Sequence, residues 1–167
     1  MNLILRFPTL RSLRMTGVNL GQNTLQRSLN GFKAITVLEI AFVRVPTCGY
    51  LLDILVATPL LESVMLTEIY WTGIGNIPSP QSFRYLHNLR THCEGNSQIL
   101  GWLCEGSLPA LSRLSIRARS VPRGEFLRTL GTSLEHLLVK MSVKPYHDRR
   151  NESQSFDFVA RGSAPDI

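Results

Sequence analysis

The sequence predicts an α/β domain built from about six short repeats, each a strand followed by a helix or a loop. One phrase, with apolar residues at its first, fourth and sixth positions, occurs five times, and a sixth copy has Thr at the last position. The phrases start 25, 26, 25, 25 and 23 residues apart. The chain of 167 residues, 18% of them charged, also has the length and composition of one globular domain. The copies are Leu10-x-x-Leu13-x-Met15, Ile35-x-x-Leu38-x-Ile40, Leu61-x-x-Val64-x-Leu66, Leu86-x-x-Leu89-x-Thr91, Leu111-x-x-Leu114-x-Ile116 and Leu134-x-x-Leu137-x-Val139.

The period identifies the kind of repeat. An apolar phrase of this form, recurring every 20 to 29 residues or so, is typical of leucine-rich repeats. Its fourth and sixth positions alternate into the core as a short strand. The predicted fold is therefore an irregular leucine-rich-repeat solenoid, about six repeats of 23–26 residues, with short parallel strands on the concave face and helices or loops on the convex face.

The ninth position of each phrase makes the predicted solenoid irregular. Regular repeats place Asn or Cys there, and the side chain hydrogen-bonds the backbone of the turn. This chain has no Asn or Cys in the slot, so the usual ladder of asparagines is absent from it. The slot holds Val18, Val43, Ile69, Glu94, Arg119 and Ser142.

The segments between the phrases predict which helices and loops form the convex side. Thr47 can cap a helix that buries Leu51, Ile54 and Leu55, and Asn96 or Ser97 can cap Gln98–Cys104 with Ile99, Leu100 and Leu103 inward. Two further helices are predicted over 24–29 and over 122–130, the second beginning at Pro122 and stopped by Gly131. The stretch 72–82 has two glycines and two prolines and predicts an irregular loop.

The repeats divide the chain into two parts. Residues 1–143 are predicted to form the solenoid, which is uncapped at both ends and therefore expected to be partial. Residues 144–167 are polar and lack strand or helix periodicity, so a flexible tail is predicted there.

Composition narrows the compartment and the partners. Fifteen of the eighteen basic residues are Arg and the net charge is +6, which is compatible with acidic partners and also with an ordinary basic surface. Three cysteines, Cys48, Cys93 and Cys104, are too few for a disulfide framework and favour a reducing compartment, cytoplasmic or nuclear. No apolar run is long enough to cross a membrane. The Arg-rich, acid-free N-terminus has the composition of a mitochondrial presequence, although Pro8 and the phrase at Leu10 argue against one.

The sequence contains no pattern typical of catalysis or of cofactor binding. His87, His92 and Cys93 are the nearest approach to a metal site, but their spacing does not match paired ligands, and on a strand His92 and Cys93 point to opposite faces. No nucleophile elbow is present, and Gly73-x-Gly75 lacks the third glycine and the following helix of a phosphate loop. We therefore expect a protein that is not an enzyme, with no cofactor and no metal.

The candidate site lies on the predicted concave face. The third, fifth and seventh positions of each phrase point away from the core and align across the strands. In the last three repeats these positions are strongly basic and contain no acid, which predicts a pocket for an acidic or phosphorylated protein segment. A solvated face without a ligand is the alternative. Nucleic acid is not favoured as a ligand, because Tyr70, Trp71 and Trp102 do not interleave with these rows. The candidate residues are Arg90, His92, Arg113, Arg117, His136 and Lys140.

Four stretches suggest a family. ITVLEIAFVRV, LLDILVATPLLESVMLTEIYWTG, LPALSRLSIRAR and LRTLGTSLEHLLVKMS resemble the leucine-rich region of F-box proteins expanded in basidiomycete fungi, over residues 3–143. In that family an N-terminal F-box docks on the adaptor of a cullin ubiquitin ligase and the repeats hold the substrate. The resemblance therefore implies a non-catalytic substrate-recognition module. No F-box is present before Leu10, so an adaptor is implied only if an F-box lies upstream.

A second hypothesis stays open beside this one. The chain could be a truncated or eroded repeat fragment with no dedicated partner or activity. It predicts a low, non-cooperative thermal melt, because the core is exposed at both ends of the repeat array.

Overall fold

The fold is α/β and consists mainly of one sheet with two helices packed on one side of it. A computed structural model describes residues 9–20, 33–93, 96–118, 130, 133–142 and 155–161. Over these residues the strands are β1 (Ser12–Thr16), β2 (Val37–Ala41), β3 (Arg44–Thr47), β4 (Ser63–Thr67), β5 (Tyr70–Gly73), β6 (Asn88–His92), β7 (Arg113–Ala118), β8 (His136–Ser142) and β9 (Ser155–Arg161). The helices are α1 (Cys48–Val56) and α2 (Asn96–Gly106).

Six of the strands form a parallel sheet whose register follows the six phrases. The order is β1-β2-β4-β6-β7-β8, and each neighbouring pair is parallel. The fourth position of every phrase pairs with the fourth position of the next, as Leu38 does with Val64 and Val64 with Leu89. The spacing of the phrases therefore predicted both the strands and their register.

Backbone hydrogen bonds at the start of each strand repeat with the same period. The carbonyl at the second position of each phrase accepts from two consecutive N–H groups of the next phrase. Arg11, for example, accepts from Thr36 and Val37 at 2.8 and 3.0 Å. The same pair of bonds recurs at Thr36, Glu62, His87 and Ser112. The described strands are thus joined by one repeated backbone pattern in addition to their ladders.

The core lies between this sheet and the helices. The fourth and sixth positions of β2, β4, β6 and β7 are buried, as the alternation predicted. The Thr47 hydroxyl accepts a hydrogen bond from the Tyr50 N–H at 3.2 Å, which caps α1 as predicted. The inward residues predicted for α1 and α2 are all buried: Leu51, Ile54, Leu55, Ile99, Leu100 and Leu103.

The turn after each of the first strands is tight. The eighth position of the phrase has positive φ at Gly17 (68°), Phe42 (55°) and Glu68 (48°), and each N–H there donates to a carbonyl of the next repeat. This turn leads into a second, two-stranded parallel sheet of β3 and β5, which the sequence did not predict. The ninth position fills the interior behind the turn in the second and third phrases, where Val43 and Ile69 are fully buried, whereas Val18 in the first phrase is exposed.

The segment after residue 142 differs from the expectation of an aperiodic tail. Residues 155–161 form β9, which pairs antiparallel with β8 at the edge of the sheet. The sequence predicted no strand there, because the segment lacks the phrase that identifies the other strands. The boundary at residue 143 stays a prediction. The helices predicted over 24–29 and 122–130 fall outside the described residues except for buried Leu130.

Candidate binding face

The basic residues predicted from the sequence lie together on the side of the sheet opposite the helices. We call this side the open face. On its last three parallel strands the residues form a three-by-three array, with Arg90 the register partner of Ser115 and Ser115 the partner of Leu138. We call this array the basic face. Its members are Asn88, Arg90 and His92 on β6, Arg113, Ser115 and Arg117 on β7, and His136, Leu138 and Lys140 on β8.

Ser115 is the centre of the array and its smallest member. Arg113 and Arg117 precede and follow it on the same face of β7, and Arg90 is beside it on β6. Its Oγ lies 2.9 Å from His92 Nε2, so the hydroxyl and the imidazole share a hydrogen bond. We call the surface at this short side chain, between the longer side chains of Arg90, Arg113 and Arg117, the recess.

His92 belongs to the basic face but is uncharged at neutral pH. Desolvation by burial, together with the positive charges of Arg90, Lys140 and Arg117, lowers the pKa of His92 to about 4, although Glu68 opposes the shift. Arg90, Lys140 and Arg117 therefore lie close enough to His92 to affect its ionisation. The ring therefore contributes a hydrogen-bonding group, and the arginines and Lys140 supply the charge.

Arg117 is partly neutralised by an acid that the sequence did not place near it. Glu68 follows β4 at the positive-φ turn, and its Oε1 lies 2.7 Å from an Arg117 guanidinium nitrogen. The other carboxylate oxygen accepts from the Tyr70 hydroxyl at 2.9 Å. The basic face contains no acid of its own, as predicted, but Glu68 in the turn after β4 contacts it at Arg117.

The remaining cations of the basic face differ in their surroundings. Arg90 and Arg113 are exposed and have no ion-pair partner among the residues that the structure describes. His136 is exposed, and Lys140 is half-buried with Asp157 of β9 as its register partner. Arg90 and Arg113 are therefore the two cations best placed to meet a negatively charged ligand.

The first strands of the open face are less charged. Arg14 and Glu39 form an ion pair with an N–O distance of 3.2 Å, so their charges offset each other. Beside them Val37 is 39% exposed and Met65 is half-buried. The open face therefore changes from apolar and neutral over β2 and β4 to cationic over β6 and β7.

A buried polar cluster behind the basic face was missed by the sequence analysis. Asn96, at the start of α2, accepts from the Cys93 N–H at 3.2 Å and from the Thr91 hydroxyl at 2.5 Å. Its amide donates to the backbone carbonyl of Thr91 at 3.1 Å and to that of Arg117 in the next repeat. The sequence predicted only a helix cap here. This asparagine lies two positions beyond the expected slot, and the polar Thr91 in a core position was the signal that could have located it.

The described residues form no cluster of potential metal ligands. No group of three or more His, Cys, Asp or Glu side chains converges within the part of the chain that the structure describes. Cys93 is buried and half-buried His92 lies on the other face of the strand. Burial raises the pKa of Cys93 to about 11 and also raises the pKa of Cys48, so both remain thiols at neutral pH.

A groove of about 260 Å³ lies at the start of the first strands, lined by Arg11, Ala34, Thr36, Leu60, Glu62 and Tyr85. No described helix combines the length and the apolar character that crossing a bilayer requires.

The comparisons with known proteins add no relative: no family model matches the chain, and no curated protein or solved structure is significantly similar to it.

Proposed function

We propose that the chain is an irregular leucine-rich-repeat solenoid that binds an acidic segment of another protein on its concave face, without catalysis. The observation that carries the proposal is the exposed pair Arg90 and Arg113 beside the Ser115 recess, on a sheet whose register follows the six phrases. The repeated bonds at the second position and the repeated left-handed turn support a solenoid, because both recur at the same phase.

The chemistry of the open face favours binding over catalysis. Ser115 and His92 are within hydrogen-bond distance, as a nucleophile and its base would be. However, the pKa of His92 is lowered to about 4, so its ring is a weak base at neutral pH. No acid orients the other ring nitrogen among the described residues, so the third member of a triad is not seen there. Arginines suit the recognition of carboxylate or phosphate, since their planar guanidinium makes two parallel hydrogen bonds.

The resemblance to fungal F-box proteins suggests the biological setting. We propose that the segment bound is a substrate destined for a cullin ubiquitin ligase, in the cytoplasm or nucleus, and that the adaptor is engaged only through an F-box joined to these repeats. Co-purification of the adaptor with the native protein, isolated under its own promoter, tests this part of the proposal. Purification without the adaptor would reduce the protein to a free-standing binding module.

Charge reversal tests the binding face itself. We expect the double variant Arg90→Glu and Arg113→Glu to bind a Glu-rich peptide at least ten-fold more weakly than the unchanged chain, because two attractive contacts become repulsive. The matched control is Arg84→Glu, an exposed change in the loop before β6. Equal affinities for all three proteins would contradict the proposal.

A further inference from the structure

The open face has two chemically different halves at a fixed separation. Met65 on β4, Arg90 on β6 and Ser115 on β7 lie in one row of register partners. Neighbouring strands are about 4.8 Å apart, so Met65 and Ser115 are separated by about 9.6 Å. Met65 therefore lies two strand spacings from Ser115, and exposed Val37, on the next strand beyond Met65, extends the apolar half away from the recess.

A peptide that crosses the strands must match this separation with side chains on one side of its backbone. In a polyproline II segment every third side chain points the same way, and three residues advance about 9.3 Å. In a fully extended strand the side chains on one face are about 6.8 Å apart, which fits neither one strand spacing nor two. The polyproline II spacing fits the row from Met65 to Ser115.

From this match we infer that the ligand is an extended protein segment with an apolar and an acidic side chain three residues apart. The inference rests on the proposed function and specifies its ligand. The apolar side chain packs on Met65 and Val37, and the acid enters the recess at Ser115 between Arg90 and Arg113.

The charges of the neighbouring groups agree with this division. The pair of Arg14 with Glu39 offsets the charge on the β1 side of the apolar half, and the exposed cation on its other side is Arg90, the register partner of Met65. Glu68 occupies Arg117, which directs an incoming acid toward Arg90 and Arg113. Uncharged His92 keeps the Ser115 hydroxyl hydrogen-bonded and positioned at the recess. The order of neutral, apolar and cationic positions across the strands can therefore select a ligand by the order of its side chains.

The test measures fluorescence anisotropy of labelled peptides against the full chain. Leu-Pro-Pro-Glu and Glu-Pro-Pro-Leu, each in a neutral host, present the three-residue spacing in both chain directions, and proline holds the polyproline II conformation. Comparison peptides shorten the spacing to Leu-Pro-Glu or replace Leu by Ala. We expect at least one three-spaced peptide to bind about five- to ten-fold more tightly than both, as partial burial of one leucine provides.

Two variants test which half of the open face binds the apolar side chain and which half binds the acid. Met65→Thr keeps a residue suited to a strand, and it should reduce the advantage of leucine over alanine to less than about two-fold. Arg113→Glu should weaken every acidic peptide about ten-fold, whereas Arg84→Glu should not. A phosphoserine version of the three-spaced peptide distinguishes a phosphoryl group from a carboxylate as the natural acid, and the same spacing preference in either version supports the inference.

The outcomes separate this inference from the proposed function. If all acidic peptides bind equally whatever their spacing, and Arg113→Glu weakens them all, the inference is wrong and the proposed function stands. If Arg113→Glu changes no affinity, or if no acidic peptide binds with a Kd below about 1 mM, both the inference and the proposed function are wrong.

Discussion

Replacing Asn96 by Ala should strongly destabilise the fold. The side chain is buried and satisfies the Cys93 N–H, the Thr91 hydroxyl and the carbonyls of Thr91 and Arg117. No described buried side-chain polar atom lacks a partner; on substitution the Thr91 hydroxyl would keep its 3.3 Å contact with Cys93 Sγ but lose Asn96, and the Cys93 N–H would lose the Asn96 oxygen. Each orphaned group costs about 1–3 kcal/mol, and relaxation recovers part of it. We expect the free energy of unfolding to fall by about 3–4 kcal/mol.

Urea unfolding followed by circular dichroism measures this loss, with Asn88→Ala as the matched control. Asn88 is half-buried on the open face and donates one hydrogen bond, to Ser63 at 3.0 Å. Its removal should cost about 0.5–1 kcal/mol, since water can replace the bond. If the two variants lose the same free energy within about 0.5 kcal/mol, the role assigned to Asn96 in joining adjacent repeats is refuted.

Three further predictions concern the core, the titration of His92 and the edge of the sheet. Thr91→Val should destabilise the chain by about 1–2 kcal/mol although other repeats hold an apolar residue there, because Asn96 loses a donor; an unchanged urea midpoint would contradict this. The ring of His92 should titrate near pH 4 by NMR. Because the unfolded chain binds this proton more readily, the free energy of unfolding should fall as the pH drops from 6.5 towards 4. A titration midpoint of 6.5 for the His92 ring would contradict this prediction. A chain ending at residue 143 lacks β9 and should unfold at lower urea and self-associate through the edge of β8, whereas equal stability in a monomer would show that β9 contributes nothing.

The sheet could be predicted because its information is periodic. Leu38, Val64 and Leu89 are each one phrase apart, and the alternation within a strand is fixed by the pleat. The predicted inward faces of α1 and α2 follow in the same way from the period of a helix. These features depend on local patterns and on their repetition, which one sequence contains.

The contacts that adjust the site depend on long-range geometry and could not be predicted. Glu68 contacts Arg117 across two repeats, 49 residues away in the chain. It does so from a turn with positive φ, which a glutamate does not predict. Asn96 bonds the Arg117 carbonyl 21 residues away. β9 pairs antiparallel, so its register is unrelated to the phrase. The residues of the basic face were therefore predicted from sequence, whereas their pairing and protonation required the structure.

An NMR titration of the labelled chain with a Glu-rich peptide tests the central claim most directly. We expect the largest amide shifts on the basic face, at Arg90, Arg113 and Ser115, and much smaller shifts across β1 and helix α1. Shifts centred instead on α1, or on the groove at Arg11 and Glu62, would contradict the account.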